Sequence, residues 1–433
     1  MERMQAMRGK LCSCGKVHDH GIHLEIGAGA IAKLPQIIVD KKGKRVFVLS
    51  DANTYQAAGQ QVCCLLEQAG IPFVSYSFAK LMPEPDEESV GSAVMHYDST
   101  CDLIVAVGSG VINDIGKILS AVTGRPYIIV ATAPSMDGYA SASSSMTRDG
   151  LKISLPSRCP DVIIGDTDIL RKAPVTLMKS GLGDMLAKYV SICEWRIAHI
   201  ITGEYYCEEI AQLIRGAVKR CVDNAEGLLQ ADEEAVRAVF EGLVIAGTAM
   251  KYAGLSRPAS GVEHYISHVL DMRGAEFKIP VQPHGIQCAV GTVIAVKLYE
   301  ALKTEKPDRE KALAYASSFD LAGWNETLRS FLGKGAESMI ALERKEKKYD
   351  RALHEKRLDI ILEHWDEILK IMDEELPSAC MLEALLDQME APKSLPEIGV
   401  DEAQLPIIFG ATKDIRDKYV LSRLAWDLGM DLV

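Results

Sequence analysis

The sequence predicts an α/β protein: an N-terminal domain built on a parallel β-sheet over residues 1–172, followed by an all-helical domain over residues 173–433. Three observations carry this. From residue 45 onward, short β-branched runs alternate with helical stretches, the pattern of a parallel sheet with crossovers. From about residue 175 the strand signals stop and successive helical stretches run to the C-terminus. The chain has 433 residues, a length at which two domains, each with its own core, are expected.

The chain opens with a polar stretch, LCSCGKVHDHGIH (11–23), that holds Cys12, Cys14, His18, His20 and His23. It reads either as a small zinc site or as a polar lead-in to an edge strand at 22–26. The CxC spacing is not the usual CxxC knuckle, and no second cysteine pair follows. RVFVLS (45–50) is a buried strand, followed by a helix over 55–69, a strand at 71–78 (IPFVSYSF), a helix over 86–98 and a strand at 101–107 (CDLIVAV). A βαβαβ order of this kind implies right-handed crossovers.

Ligands bind such sheets beyond the C-terminal ends of the strands. The first strand ends in Asp51, whose carboxylate can accept from ribose hydroxyls and would repel a 2′-phosphate, favouring NAD over NADP; a helix N-cap in SDANTY explains the residue equally. The third strand runs into Gly108, Ser109, Gly110, Val111, Ile112, Asn113 and Asp114 and then a helix. Small residues there let backbone amides approach a pyrophosphate at the helix N-terminus. The loop is not GxGxxG, and glycine in such turns also has purely steric uses. RPYIIVATAP (125–134) is the next strand, leading into Ser135, Asp137 and Ser141, a loop of small polar side chains. A hairpin over 143–156 turns at Asp149-Gly150; DVIIGD (161–166) is a further strand, and the region of Pro174 marks the crossing between domains.

In the helical half, stretches at 176–200, 204–229, 232–253, 262–271 and 285–303 read as helices. Leu358, Ile361, Leu362, Trp365, Leu369 and Met372 follow helical spacing. The mixed charges before them, Glu343 to Arg357, are expected to form a solvated face. The tail containing Leu421, Leu424 and Leu428 is expected to pack back onto the helical domain.

The chemistry concentrates in residues 260–292. This stretch carries His264, His268 and His284, three of only 10 histidines. His264 and His268, four apart, share one face of a helix, and VQPHG returns the chain toward it. Imidazoles on two elements suit a divalent transition metal. The set lacks a carboxylate, and Asp184 in SGLGDMLAKYVSICEW is the best candidate. Two histidines and an aspartate with an open position make a Lewis-acid site. The spacing does not rank His264 above His268, and an isolated HxxxH pair is equally explained by packing or capping.

The net charge of −12 argues against a nucleic-acid-binding surface, though it admits a small anionic substrate in a local basic pocket, for which Arg257 and Lys251 are candidates. The 11 cysteines, several in apolar runs (Cys63, Cys64, Cys101, Cys193), suit buried thiols in a cytoplasmic protein. The opening residues have no apolar core, so no signal peptide is expected, and no run of about 18 apolar residues suggests a membrane span.

Four segments in fixed order, TAPSMDGYAS, GLGDMLAKY, SRPASGVEHYISH and PHGIQCAVGT, resemble the sn-glycerol-1-phosphate dehydrogenase family of the dehydroquinate synthase-like, metal-dependent alcohol dehydrogenase fold. The resemblance runs from IGAGAI (26–31) to RDKYVLSRLAWDLG (416–429). It implies a Rossmann-like first domain and metal ligands Asp184, His264 and His284. It implies cofactor contacts at Gly110 to Asp114, at Thr132, Ala133, Pro134 and Ser135, and at Ser141. It implies substrate contacts at Asp137, Asp184 and His268. The implied activity is interconversion of dihydroxyacetone phosphate and sn-glycerol 1-phosphate, a step toward phospholipid. The implied cofactors are NAD(H), with NADP(H) as the alternative, and one divalent metal, zinc ahead of nickel or iron. A homo-oligomer acting on a phosphorylated small molecule is expected. The sequence departs from the broader group in GSG for GGG and in Ile286, where an acid is usual. A polyol dehydrogenase, a phosphate-eliminating lyase of the same fold and a non-catalytic sensor are the competing readings; the intact Asp184, His264 and His284 argue against the last.

Overall fold

The computed structural model describes residues 1–19, 21–80, 83–148 and 151–433. The chain forms two compact units, residues 1–185 with 212–255, and residues 186–211 with 256–433.

The first unit holds a six-stranded, all-parallel sheet. Its strands are β1 (His23–Gly27), β2 (Val46–Asp51), β3 (Phe73–Phe78), β4 (Leu103–Gly108), β5 (Tyr127–Ala131) and β8 (Val162–Asp166), in spatial order β1-β8-β5-β4-β2-β3. The central strands β2, β4, β5 and β8 are buried at every position, as a parallel sheet covered on both faces requires. On one face Val46, Val48, Val105, Val107, Ile128, Val130, Val162 and Ile164 pack with Ile31, Leu34, Ile38, Val62 and Leu66. On the other, the helix Glu233–Ala253 comes so close that a Cβ on Gly165 would lie 2.1 Å from the Phe240 ring. The polar stretch at 143–156 forms a separate antiparallel pair, β6 (Ser143–Arg148) and β7 (Leu151–Pro156), with Ser143 opposite Pro156. The turn expected at Asp149-Gly150 lies outside the described residues.

Strand positions follow the sequence-based expectations to within about two residues, except that the strand expected over 125–134 ends three residues earlier, at Ala131. The helix expected over 204–229 is Glu208–Asp223 followed by a 3-10 segment at Ala225–Gln230, and the helix expected over 262–271 runs on to Phe277. Three further elements differ. A short helix, Glu2–Met7, precedes the polar lead-in. The helix expected over 55–69 starts at Ala52, because Asp51 caps it, and passes through a π-helical turn at Tyr55–Gly59. The single helix expected over 176–200 is two, Val175–Leu186 and Lys188–Thr202, separated at Ala187.

The second unit is helical. Its centre is the helix His284–Thr304. Among the described residues this is the one helix long and apolar enough to cross a membrane, but 83% of its apolar stretch is buried in the protein. Val290, Val293, Ala295, Val296 and Leu302 of this helix are buried. The tail returns as expected: Leu421, Leu424 and Leu428 are each 1% exposed. The charged stretch from Glu343 to Arg357 is largely the expected solvated face, with Arg344, Lys345, Glu346, Lys347, Asp350, Arg351 and Lys356 exposed, but Glu343, Lys348 and Arg357 turn inward. Glu343 is 6% exposed, Arg357 forms a two-point ion pair with buried Asp427 at 2.7 Å, and the Lys348 ammonium donates to the carbonyls of Lys413, Asp414 and Arg416. Lys348 and Arg357 are thus paired inside the unit, and pairing is what makes their burial tolerable. None of the described cysteines is in a disulfide; Cys63, Cys101 and Cys193 are buried as expected, whereas Cys64 is exposed.

Candidate functional site

In the first unit, the residues singled out in the sequence lie on the loops after β2, β4 and β5. Asp51 ends β2 and caps the next turn reciprocally: its carboxylate accepts from the Thr54 amide at 2.8 Å, and its own amide donates to Thr54 Oγ1 at 2.9 Å. Gly108 ends β4. A Cβ there would sit 2.5 Å from the Ile112 Cβ, so only glycine permits the turn into the helix Gly110–Thr123. Asn113 is the first amide to bond back, to the Ser109 carbonyl at 2.9 Å. The amides of Gly110, Val111 and Ile112 therefore form the unsatisfied first turn of a helix, an arrangement suited to an anion.

Asn113, Asp114 and Ser141 are bound into a polar tie. Asn113 accepts from Tyr127 Oη at 3.0 Å and donates to the Gly138 carbonyl at 3.1 Å. Asp114 pairs with Lys117 at 2.8 Å. The wholly buried Lys117 ammonium also donates to the Gly138 carbonyl, Ser141 Oγ and the Ser143 carbonyl at 3.1, 3.1 and 2.6 Å. The loop after β5 is fixed along its length. The Thr132 amide donates to the Gly108 carbonyl at 3.1 Å, Tyr139 Oη to the Ala133 carbonyl at 2.7 Å, and Ser180 Oγ to the Ser135 carbonyl at 3.0 Å. Pro134 lies against Gly181. Asp184 is fully buried on the helix Val175–Leu186, and its Oδ2 accepts from the Asp137 amide at 2.8 Å. That bond sets the orientation of the carboxylate.

In the second unit, His264 and His268 lie on the helix Val262–Phe277, and His284 opens the helix His284–Thr304. The rings of His264 and His284 meet edge to face with centroids 5.1 Å apart; His268 lies 6.3 Å from His284. His264 Nδ1 is 2.8 Å from Glu263 Oε1, and that same oxygen accepts from the Gly261 amide at 2.8 Å. His284 Nδ1 is 3.1 Å from Ser267 Oγ. Both imidazoles are thus oriented through Nδ1, an arrangement also common around metal-ligating histidines, in which Nε2 is the ligand atom. Cys288 joins them: ligand atoms of His264, His284 and Cys288 lie within 4.8 Å of one another. Burial would push this thiol up, but the two imidazoles outweigh it and hold it below the ordinary cysteine value.

Glu194 anchors the start of the His264 helix, accepting from the amides of Val262 at 3.0 Å and Leu421 at 2.8 Å. Its carboxyl is pushed up to about 8, first by burial and then by the negative charge of Glu263. Arg257 is only 2% exposed, ion-pairs with Glu204 at 2.8 Å and donates to the Tyr419 carbonyl at 2.7 Å. It is a buried tie within the helical unit.

Sequence reasoning missed Lys117, Glu194, Glu263, Ser267 and Cys288. Two left a trace: Lys117 stands three residues after Asp114, and Cys288 one helical turn after His284. Glu263 stands beside His264, but nothing in the spacing turns its carboxylate back onto that ring; Glu194 and Ser267 act on residues distant in the chain.

The chain is 33% identical over 294 residues to the glycerol-1-phosphate dehydrogenase (NAD(P)+) of Halalkalibacterium halodurans, an alignment that covers 67% of this chain and 74% of that protein. The chain belongs to the glycerol-1-phosphate dehydrogenase family. The enzyme of the same name from Geobacillus stearothermophilus is 30% identical over 334 residues, covering 74% of this chain and 82% of its own. Residues 25–174 match the sequence profile of the iron-containing alcohol dehydrogenases. Maleylacetate reductase from Agrobacterium tumefaciens shares the fold, with a TM-score of 0.63 and 16% identity over 94% of each chain. The family indicated by the four sequence motifs is the family found.

Proposed function

We propose that the chain reversibly reduces dihydroxyacetone phosphate to sn-glycerol 1-phosphate, using NAD(H) or NADP(H) and one divalent metal. The observation that carries this is the 33% identity to the Halalkalibacterium enzyme over two-thirds of the chain. The donor chemistry supports it. Asp184 is oriented by the Asp137 amide, His264 by Glu263 and His284 by Ser267, and an aspartate with two imidazoles suits zinc, with nickel and iron as alternatives. Asp184, His264 and His284 would hold the ion. When bound, such a cation polarises a carbonyl and favours charge on its oxygen.

The remaining roles belong to the chain itself. In this reading the first amides of the helix Gly110–Thr123 receive the dinucleotide's pyrophosphate, with Gly108 allowing the close approach. Thr132 to Ser135 line the cofactor. Asn113, Asp114 and Ser141 hold the loop that flanks it, and Asp51 accepts from the ribose. Asp137 holds a substrate hydroxyl. His268 relays the proton to the new alcohol. Dinucleotide binding falls to residues 1–172 and metal and substrate binding to 173–433, with Asp137 reaching the substrate from the first segment, in a cytoplasmic homo-oligomer whose product feeds phospholipid synthesis.

The test follows NADH and NADPH oxidation with dihydroxyacetone phosphate, with dihydroxyacetone and without substrate, before and after chelation. Chelator-sensitive turnover of the phosphorylated ketone alone is expected. Equal turnover of dihydroxyacetone would replace the reading with a polyol dehydrogenase. Phosphate release without net NADH consumption would replace it with a lyase. His264→Ala and His284→Ala should each lose metal and activity together, and retention of metal by both would overturn the ligand set. His268→Ala should keep the metal and slow turnover by about 10²–10⁴-fold; unchanged kinetics would remove it from the relay.

A further inference from the structure

The segment before the first strand is shaped in a way that hydrophobic burial does not explain. Residues 9–18 close into a small loop. Leu11 and Val17 pair as an antiparallel bridge. The Cys12 amide donates to the Lys16 carbonyl at 2.9 Å, the Gly15 amide to the Cys12 carbonyl at 2.9 Å, and the Gly9 amide to the His18 carbonyl at 2.8 Å. Gly15 has φ +81°, in the left-handed region, which lets the chain reverse directly after Cys14. The loop's two aliphatic side chains face outward: Leu11 is 75% exposed and Val17 59%. Its one buried side chain is a polar one, His18, 2% exposed, its ring packed 5.2 Å from that of Tyr252.

The turn directs three soft or borderline donors to one point. Ligand atoms of Cys12, Cys14 and His18 lie within 4.8 Å of one another, and Cys14 Sγ is 3.4 Å from His18 Nε2. Zinc–sulfur bonds of about 2.3 Å and zinc–nitrogen bonds of about 2.0–2.1 Å at a tetrahedral angle put sulfur and nitrogen about 3.5 Å apart. The donors already stand at nearly that separation, and the packing of His18 on Tyr252 fixes the imidazole.

We propose that Cys12, Cys14 and His18 bind a structural zinc ion, distinct from the metal of the active site. Two thiolates and an imidazole select zinc among available divalent ions. Binding releases the two thiol protons to solvent and leaves the cysteines as thiolates. A fourth donor completes the tetrahedron; replacing each of the remaining cysteines by serine in turn identifies whether it is a thiolate. The ion supplies the stability that the exposed Leu11 and Val17 do not, so metal binding and folding of this loop are one equilibrium.

The test uses the full chain. Zinc-loaded and chelator-treated protein are alkylated with iodoacetamide, and modified cysteines are mapped by mass spectrometry. Cys12 and Cys14 should be protected by zinc and react after its removal, while the exposed Cys64 and Cys380 react in both states. The Cys12→Ser/Cys14→Ser variant should lose one zinc per chain. After cobalt loading it should also lose the near-ultraviolet thiolate-to-cobalt band, which His284→Ala retains. Equal alkylation with and without zinc, or unchanged metal content in the folded double variant, would overturn the proposal. So would recovery of a Cys12–Cys14 disulfide without zinc from freshly purified protein. The protection experiment is made on the unmutated chain, so it decides the matter even if the double variant does not fold.

Discussion

A lysine with no exposed surface has to find its acceptors inside the protein, and Lys117 finds four: Asp114, the carbonyls of Gly138 and Ser143, and Ser141 Oγ. Its ammonium joins the helix after β4 to the loop after β5, two of the segments to which the proposed cofactor contacts belong. Lys117→Met keeps the stem's volume but leaves Asp114 and two carbonyls short of a donor. A loss of about 3 kcal/mol is expected, the scale for removing one member of a buried pair, read as a lower urea midpoint with unchanged slope. A loss under about 1 kcal/mol would mean that water replaces the ammonium. The same logic explains why the site was only partly legible. Asp114 and Ser141 were visible as small polar residues after strands. Their engagement with one buried cation was not, because that depends on where the loop returns in space.

At the level of elements, glycines decide how closely helices press on the loop Thr132–Ala140. A Cβ on Gly181 would lie 1.9 Å from the Pro134 carbonyl oxygen, and one on Gly247 would lie 2.6 Å from that of Asp137. Both neighbours are backbone, so neither can rotate away. Gly181→Ala should therefore cost about 3 kcal/mol, the upper range of overpacking, and displace Asp184 three residues on, lowering both Tm and bound metal. Gly216→Ala is the comparison: nothing lies within 4 Å of its Cβ position, and a helical alanine should be neutral or stabilising by about 0.5–1 kcal/mol. If the two variants melt alike, the close approach is not what limits Gly181. Periodicity identified these elements because strand and helix repeats are local. It failed at Ala187, where one apolar stretch becomes two helices, and at Lys348 and Arg357, charges of a mostly exposed stretch that find distant partners inside the helical unit.

For the molecule as a whole, buried charge in the helical unit makes stability depend on pH. Asp414 accepts from Trp324 Nε1 at 2.9 Å, Tyr349 Oη at 2.7 Å and Arg423 Nη2 at 3.0 Å. Lys413 lies 3.6 Å over the Trp324 ring. Burial pulls the Lys413 ammonium down to about 7 from its ordinary 10.5. Below pH 7 both folded and unfolded chains carry the proton, and between the two values only the unfolded chain does, so this residue makes stability rise with pH across that window. The wild type should gain urea resistance relative to Lys413→Met from pH 7 to 9; parallel curves would show that Lys413 titrates normally. By itself the sequence determined the fold class, the order of strands along the chain, the family and the two histidine-bearing elements, because these follow from local periodicity and ordered motifs. Only the tertiary structure decided that residues 212–255 join the sheet unit, that His264 faces His284 with Glu263 and Ser267 behind them, and that Cys12, Cys14 and His18 converge. These outcomes depend on where the backbone turns and which distant side chains fill the space, which local periodicity does not encode.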